Sequence, residues 1–170
     1  VSDKSNDAVR VSGADVRALI IGEGGNLGIT QKGRLEFALA TDRRKAGEIN
    51  TDAVDNSGGV DMSDHEVNLK ILFNHLLQID EIKSVQARNE QLARLTDDVA
   101  KAVLNDNRLQ HRAISRDRLL SSRQPEIYLR GLETLQNKAG LDFESEDIPD
   151  LSMLASWMTD GKGVPRPLLA

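Results

Sequence analysis

The chain contains no cysteine, which excludes disulfides, thiolate zinc centres and a cysteine nucleophile and suits a reducing, cytoplasmic setting. Aromatic residues make up only 3% of it, with a single Trp and a single Tyr, too few for a platform on which nucleobases stack. Positive charge is not in excess. Lys and Arg number 22 against 27 Asp and Glu, for a formal net charge of −5, which argues against a sequence-independent nucleic-acid binder. No apolar run approaches the roughly 18 residues of a membrane-spanning helix, and no signal-peptide pattern opens the chain. No Ser/His/Asp order gives a credible triad, and no paired carboxylates stand out as an acid–base couple. His65 and His75 lack the spacing of a metal-binding helix, so no metal is expected. What is present is 170 residues, 39% hydrophobic and 29% charged, a composition able to bury a sizeable core.

The most informative stretch is Ile20-Ile21-Gly22-Glu23-Gly24-Gly25-Asn26-Leu27-Gly28-Ile29-Thr30, a short apolar run that ends in a glycine cluster. Glycines in that position let another molecule approach the main chain closely. The spacing does not satisfy the dinucleotide fingerprint G-x-G-x-x-G/A, because its third position falls on Leu27. From spacing alone, a nucleotide-binding loop and a tight strand-to-helix turn both remain open. A second glycine pair follows in Asn56-Ser57-Gly58-Gly59, where an amide side chain stands beside unhindered backbone N–H groups. That arrangement suits a carboxamide or carboxylate, and equally an ordinary Asn/Gly turn. Ser63-Asp64-His65-Glu66 has the capping-box pattern S-x-x-E, so Ser63 reads as a helix N-cap that could also receive an anion.

Residues 1–15 read as a polar lead-in with a weak strand over Ala8–Val11. Val16–Ile21 reads as a buried strand, Thr30 or Gln31 to Ala40 as a helix, and Glu48–Val54 as a second short strand, the order of half a parallel sheet. From Ser63 onward the pattern turns helical. Apolar residues from Val85 to Val103 predict one long helix over Ser84–Asn105, followed by helical material over Leu109–Ser121. Pro125 and Gly140 bracket a helix over Glu126–Lys138, and Asp150 caps a short one closed by Gly161. The closing Pro-Leu-Leu-Ala reads as the first turn of a helix that has been cut off, and the missing initiator Met points the same way, to a piece of something longer. The natural boundary lies near Gln78–Lys83.

Together, Ile21 to Gln31, Gly33-Arg34-Leu35-Glu36-Phe37-Ala38-Leu39 and Ile49 to Leu72 resemble the large bacterial NAD-specific glutamate dehydrogenases. Arg88-Asn89, Leu95 to Val99, Val103 to Asn107 and the closing Gly161 to Pro167 agree with this. The resemblance implies oxidative deamination of L-glutamate to 2-oxoglutarate and ammonia, with hydride passing to NAD. It implies an α/β fold: the C-terminal part of a Rossmann-like parallel sheet in residues 1–80, followed by a mainly α-helical, truncated segment in residues 81–170. Gly24, Gly25 and Asn26 match the family's Gly-Ala-Asn segment near the nicotinamide, with Gly25 in place of Ala. Asn56, Gly58 and Gly59 match its Asn-Ala-Gly-Gly-Val turn, with Ser57 in place of Ala. Ser63 stands where smaller relatives have a Ser that reaches the substrate's side-chain carboxylate. The smaller enzymes carry Pro-Thr soon after the Asn, whereas this chain runs Leu27-Gly28-Ile29-Thr30.

The family's catalytic Lys and Asp and its dinucleotide fingerprint have no counterpart here, so no catalytic residue is assigned. The resemblance further implies the remainder of a longer chain as partner, and a cytoplasmic homo-oligomer as the intact enzyme, with neither nucleic acid nor membrane involved. The alternative from the residues alone is a non-catalytic helical interaction module whose glycine turns are structural. Hydride transfer needs a proton-transfer couple and a bound pyrophosphate. The purified 170-residue chain is therefore expected to reduce no NAD with glutamate; robust NADH formation by it refutes this.

Overall fold

Apolar residues recur at helical spacing along most of this chain, and helices are what it forms. The computed structural model describes residues 7–25, 28–39 and 46–170. Two short 3-10 turns, Asp7–Val9 and Gly13–Asp15, precede α1 (Gln31–Ala38), α2 (Asp52–Asp55), α3 (Ser57–Gln78) and α4 (Val85–Arg94). They are followed by α5 (Thr96–Arg123), α6 (Pro125–Ala139), α7 (Leu151–Thr159) and α8 (Arg166–Leu169). No helix among the described residues is long and apolar enough to cross a membrane.

The expected α/β class is corrected: the described residues contain no strand, and so no part of a Rossmann-like parallel sheet. The one β-type pairing among them is a single parallel bridge between Ile20 and Glu48. In it the Ile21 N–H donates to the Glu48 carbonyl at 3.0 Å and the Glu48 N–H donates to the Leu19 carbonyl at 2.9 Å. The pairing stops after that rung because other groups claim the neighbouring backbone. The Glu23 N–H donates to the Asp55 carboxylate at 2.9 Å, and the Gly47 N–H donates to the Phe37 carbonyl at 3.0 Å. The expected strand over Val16–Ile21 also fails to bury its apolar residues, since Leu19 is 72% and Ile20 74% exposed. The expected strand over Glu48–Val54 gives way to α2, and the weak strand over Ala8–Val11 to the first 3-10 turn.

Several helix ends follow their capping chemistry. The hydroxyl of Thr30 accepts the Gly33 N–H at 3.1 Å, that of Ser84 accepts the Ala87 N–H at 3.1 Å, and the Asp150 carboxylate accepts the Met153 N–H at 2.9 Å. Pro125 opens α6 and Gly140, left-handed at φ 73°, closes it. The long helix expected over Ser84–Asn105 is instead broken at Leu95, and α5 then runs unbroken through Leu109–Ser121. α3 begins six positions before the expected cap, so Ser63 and Glu66 lie inside it rather than at its start. Gly58 and Gly59 are poor helix formers, at about 1 kcal/mol each relative to Ala. They are helical because the Asn56 carbonyl accepts the N–H of Gly59 at 2.9 Å and that of Val60 at 3.3 Å. A side-chain bond from Ser57 to Asn107, at 3.2 Å, fixes the same turn.

The chain divides into two units, one of residues up to 55 together with Ala113–Ala170, the other Asn56–Arg112. In the first, Leu154, Met158 and Val164 form a core covered by Tyr128, Leu129, Leu132 and Trp157. Gly163, at φ 68°, lets the Val164 N–H reach the buried Ser121 hydroxyl at 2.9 Å; a Cβ there would lie 2.5 Å from the Arg118 carbonyl. In the second unit α3 packs along α4. It ends with the Glu81 N–H donating to the Leu76 carbonyl at 3.0 Å around a left-handed Asp80, a Schellman closure with Asp where Gly is usual.

Burial, followed by a hydrogen bond to Asp117 and that carboxylate's charge, pushes the Tyr128 phenol above its ordinary 10.0, with Arg116 opposing. A raised folded-state value favours the protonated phenol. Its contribution to stability is therefore complete below pH 10 and is lost as pH rises through the folded-state value. Because Tyr128 is the only tyrosine, phenolate absorbance reads it directly. The folded chain is expected to titrate above pH 10 and to return to the ordinary value in urea. Asp117→Asn should recover only part of the shift, since burial is the larger cause. An ordinary midpoint in the folded chain contradicts this packing.

Candidate functional site

In the first unit the glycine segment rises from a buried polar stem. Glu23 is 7% and Arg34 3% exposed. Arg34 Nε donates to Glu23 Oε2 at 3.0 Å and Nη2 to Oε1 at 2.9 Å, a bidentate fork. Nη2 also lies 3.3 Å from Asp52 Oδ1, and Nη1 donates to Gln31 Oε1 at 3.4 Å. Glu23 Oε1 also accepts the Ile29 N–H, at 3.2 Å. Asp55 takes the Glu23 N–H on one oxygen, and on the other takes the Asn50 amide at 2.7 Å. Asn50 in turn accepts from Arg166 Nε at 2.9 Å, and Arg166 Nη1 donates to the Ser115 hydroxyl at 2.8 Å. Burial lowers the Arg166 pKa from its ordinary value, with Glu48 opposing the shift. α1 supplies Arg34 because Thr30 caps it and sets the first turn; α2 supplies Asp52 and Asp55.

Above that stem the main chain is bare. A Cβ built on Gly22, Gly24 or Gly25 would meet nothing within 4 Å among the described residues, and none of the three has a positive φ. Neither packing nor backbone conformation therefore explains these glycines from inside the described chain. Gly28 differs, since a Cβ there would rest 3.7 Å from Glu23 Oε1. Asn26, expected to contact a cofactor, lies outside the described residues.

Asn56, Gly58, Gly59 and Ser63 belong to the second unit, at and just beyond the start of α3. Asn56 holds the N-cap position but makes no capping bond with its side chain. Gly59 is tight beneath it: a Cβ there would come 3.0 Å from Asn56 Oδ1. Gly58 faces Asn107, whose Nδ2 would lie 3.3 Å from a Cβ at that position. Asn107 donates to the Val103 carbonyl at 2.9 Å and accepts from the buried Ser57 hydroxyl at 3.2 Å, so two bonds hold it. Ser63 is exposed and stands in the second turn of the helix. It is neither a cap nor at the positive end of the helix dipole, so that support for anion binding is withdrawn. In the same unit Asp61 Oδ2 is buried with no hydrogen-bond partner among the described residues.

The composition pointed to Gly and Asn but not to Glu23, Arg34, Asp55 or Asn107. One signal was available: a lone carboxylate between Gly22 and Gly24, in an otherwise apolar and glycine stretch, needs a buried partner if it is not solvated. Among the described residues no three His, Asp or Glu side chains gather as a metal site would. Among the described residues a hollow of about 360 Å³ lies beside Met62, Leu69, Leu92 and Val99 in the second unit, and one of about 350 Å³ beside Gln31, Thr51, Ile148 and Pro167 in the first.

Against known proteins, residues 1–117 match the family model described as the catalytic domain of bacterial NAD-glutamate dehydrogenase. Over all 170 residues the chain is 41% identical to the NAD-specific glutamate dehydrogenase of Pseudomonas aeruginosa and 41% to that of Mycobacterium tuberculosis. It is 39% identical to that of Halomonas elongata. Each match covers the whole of this chain and 10% of the relative, so the chain spans about a tenth of the length of these curated relatives. No solved structure matches.

Removing one partner of a buried ion pair strands the other charge, at about 3–5 kcal/mol. Arg34→Ala is expected to lower the stability of the chain by that order in urea titration, and Arg34→Lys to recover only part of it, because an ammonium cannot form the fork. A loss no larger than that of an exposed Arg places the pair in water instead.

Proposed function

The chain belongs to the bacterial NAD-glutamate dehydrogenases, and from that premise we propose that it serves as one part of an enzyme converting L-glutamate to 2-oxoglutarate and ammonia with NAD as hydride acceptor. On this reading residues 1–80 contribute the end of the cofactor-binding region and residues 81–170 part of a helical C-terminal region. The groups for proton transfer and pyrophosphate binding belong to other parts of a longer chain, and the intact enzyme is a cytoplasmic homo-oligomer.

NAD, when bound, supplies the hydride-accepting ring; the chain's own residues position it. Gly24 and Gly25 leave main chain uncovered where a flat ring needs close approach; the part given to Asn26 rests on the family resemblance alone. Asn56 offers a carboxamide not engaged in capping its own helix, next to Gly58 and Gly59 at a helix start where N–H groups carry partial positive charge. Ser63 supplies a hydroxyl donor to the substrate's side-chain carboxylate, a role that rests on the family resemblance alone. The observation that carries this reading is a stem buried and bonded through Glu23 beneath glycines that nothing among the described residues requires. A rigid base under bare backbone is how a protein presents main chain to a ligand.

Groups of this kind act by orientation, and displacement by about 1 Å costs on the order of 100-fold in rate. Asn56→Ala in the intact enzyme is expected to reduce kcat by roughly that order. Its thermal unfolding should stay near the parent's, since the side chain makes no capping bond. Unaltered steady-state kinetics in a folded variant count against the assignment.

A further inference from the structure

We propose that Glu23 is a positioning residue for the cofactor-facing glycine segment, a staple that fixes the loop from its own main chain at one end and its own carboxylate at the other. The inference rests on the reading of Gly24 and Gly25 as contacts to NAD. At the near end the Glu23 N–H is held by Asp55 Oδ2 at 2.9 Å. At the far end Glu23 Oε1 accepts the Ile29 N–H at 3.2 Å. One residue is thus bonded on both described flanks of the segment, to Asp55 before Gly24 and to Ile29 after Gly28, and Oε1 lies 3.7 Å from the position of a Gly28 Cβ.

The carboxylate can do this only if it cannot rotate. Arg34 prevents rotation by gripping both oxygens, at 3.0 and 2.9 Å, and is itself steered by Asp52 at 3.3 Å and Gln31 at 3.4 Å. The alternative, a pair present only for stability, fits poorly. A buried ion pair is often no more stabilising than two apolar side chains of the same volume. What apolar residues cannot do is accept the Ile29 N–H while keeping the loop's second end in register. Among the described residues the backbone pairing of this segment is the single bridge at Ile20, and the Glu23 carboxylate adds a bond on its far side, at Ile29.

The test uses the full-length dehydrogenase and separates stability from positioning. Glu23→Leu combined with Arg34→Met removes both charges and keeps volume. It is expected to unfold at the parent's temperature, to raise KM for NAD by roughly tenfold and to leave KM for glutamate unchanged. Backbone hydrogen exchange over residues 22–30 should quicken in the variant and nowhere else. A folded double variant with the parent's KM for NAD and the parent's exchange overturns the proposal. Should that variant fail to fold, Glu23→Gln, which keeps one acceptor oxygen for two competing tasks, is expected to show a smaller change of the same kind. Unchanged values there overturn the proposal equally. The underlying reading fails in a different way: saturating NADH would give the parent enzyme no exchange protection over residues 22–30. Protection in the parent together with unchanged kinetics in the variants leaves the reading standing and removes only the staple.

Discussion

A carboxylate and a guanidinium sharing two hydrogen bonds away from water, Glu23 and Arg34, set the terms for the first unit. Each would be costly alone at 7% and 3% exposure. Their mutual satisfaction recruits α1 through Arg34 and α2 through Asp52. It also ties down a segment that would otherwise have one backbone rung. From Glu23 the bonding passes by way of its N–H to Asp55, then to Asn50, Arg166 and Ser115, so that residues far apart in sequence are joined in one polar line.

The second unit solves a related problem differently. Two glycines open a 22-residue helix, a poor beginning on propensity grounds. The Asn56 carbonyl and the Ser57–Asn107 bond supply what propensity lacks. Here too glycines stand beside a side chain that is held, Ser57 by Asn107. A site that orients a ligand needs that combination, since glycine allows close approach while the fixed neighbours limit the number of positions the backbone can take.

Much of the helical half was legible before any coordinates. Ser84, Asp150, Thr30, Pro125 and Gly140 act within a few residues of themselves, so their pattern in sequence is already their geometry. Helix boundaries that depend on distant partners were not legible: α3 starts at Ser57 because of Asn107, which lies 50 positions on. The break at Leu95 carries no Gly or Pro; its local mark is the acidic first turn of α5 at Asp97 and Asp98. The apolar run at Val16–Ile21 looks like a strand by composition. A strand is defined by its neighbours, and on either side of the single Ile20–Glu48 bridge the N–H groups of Glu23 and Gly47 go to Asp55 and Phe37 instead of extending a ladder.

The sequence by itself determined the family, the glycine and asparagine residues at stake, and the helices whose caps are local, because these depend on residue identity and short spacing. Only the tertiary structure decided that the described residues form no sheet, that Ser63 sits within a helix rather than at its tip, and that Glu23 and Arg34 underlie the glycine loop. Each of those depends on which distant group satisfies a buried donor or acceptor. A partner 11 residues away for Glu23, or 32 for its N–H, leaves no periodicity to read.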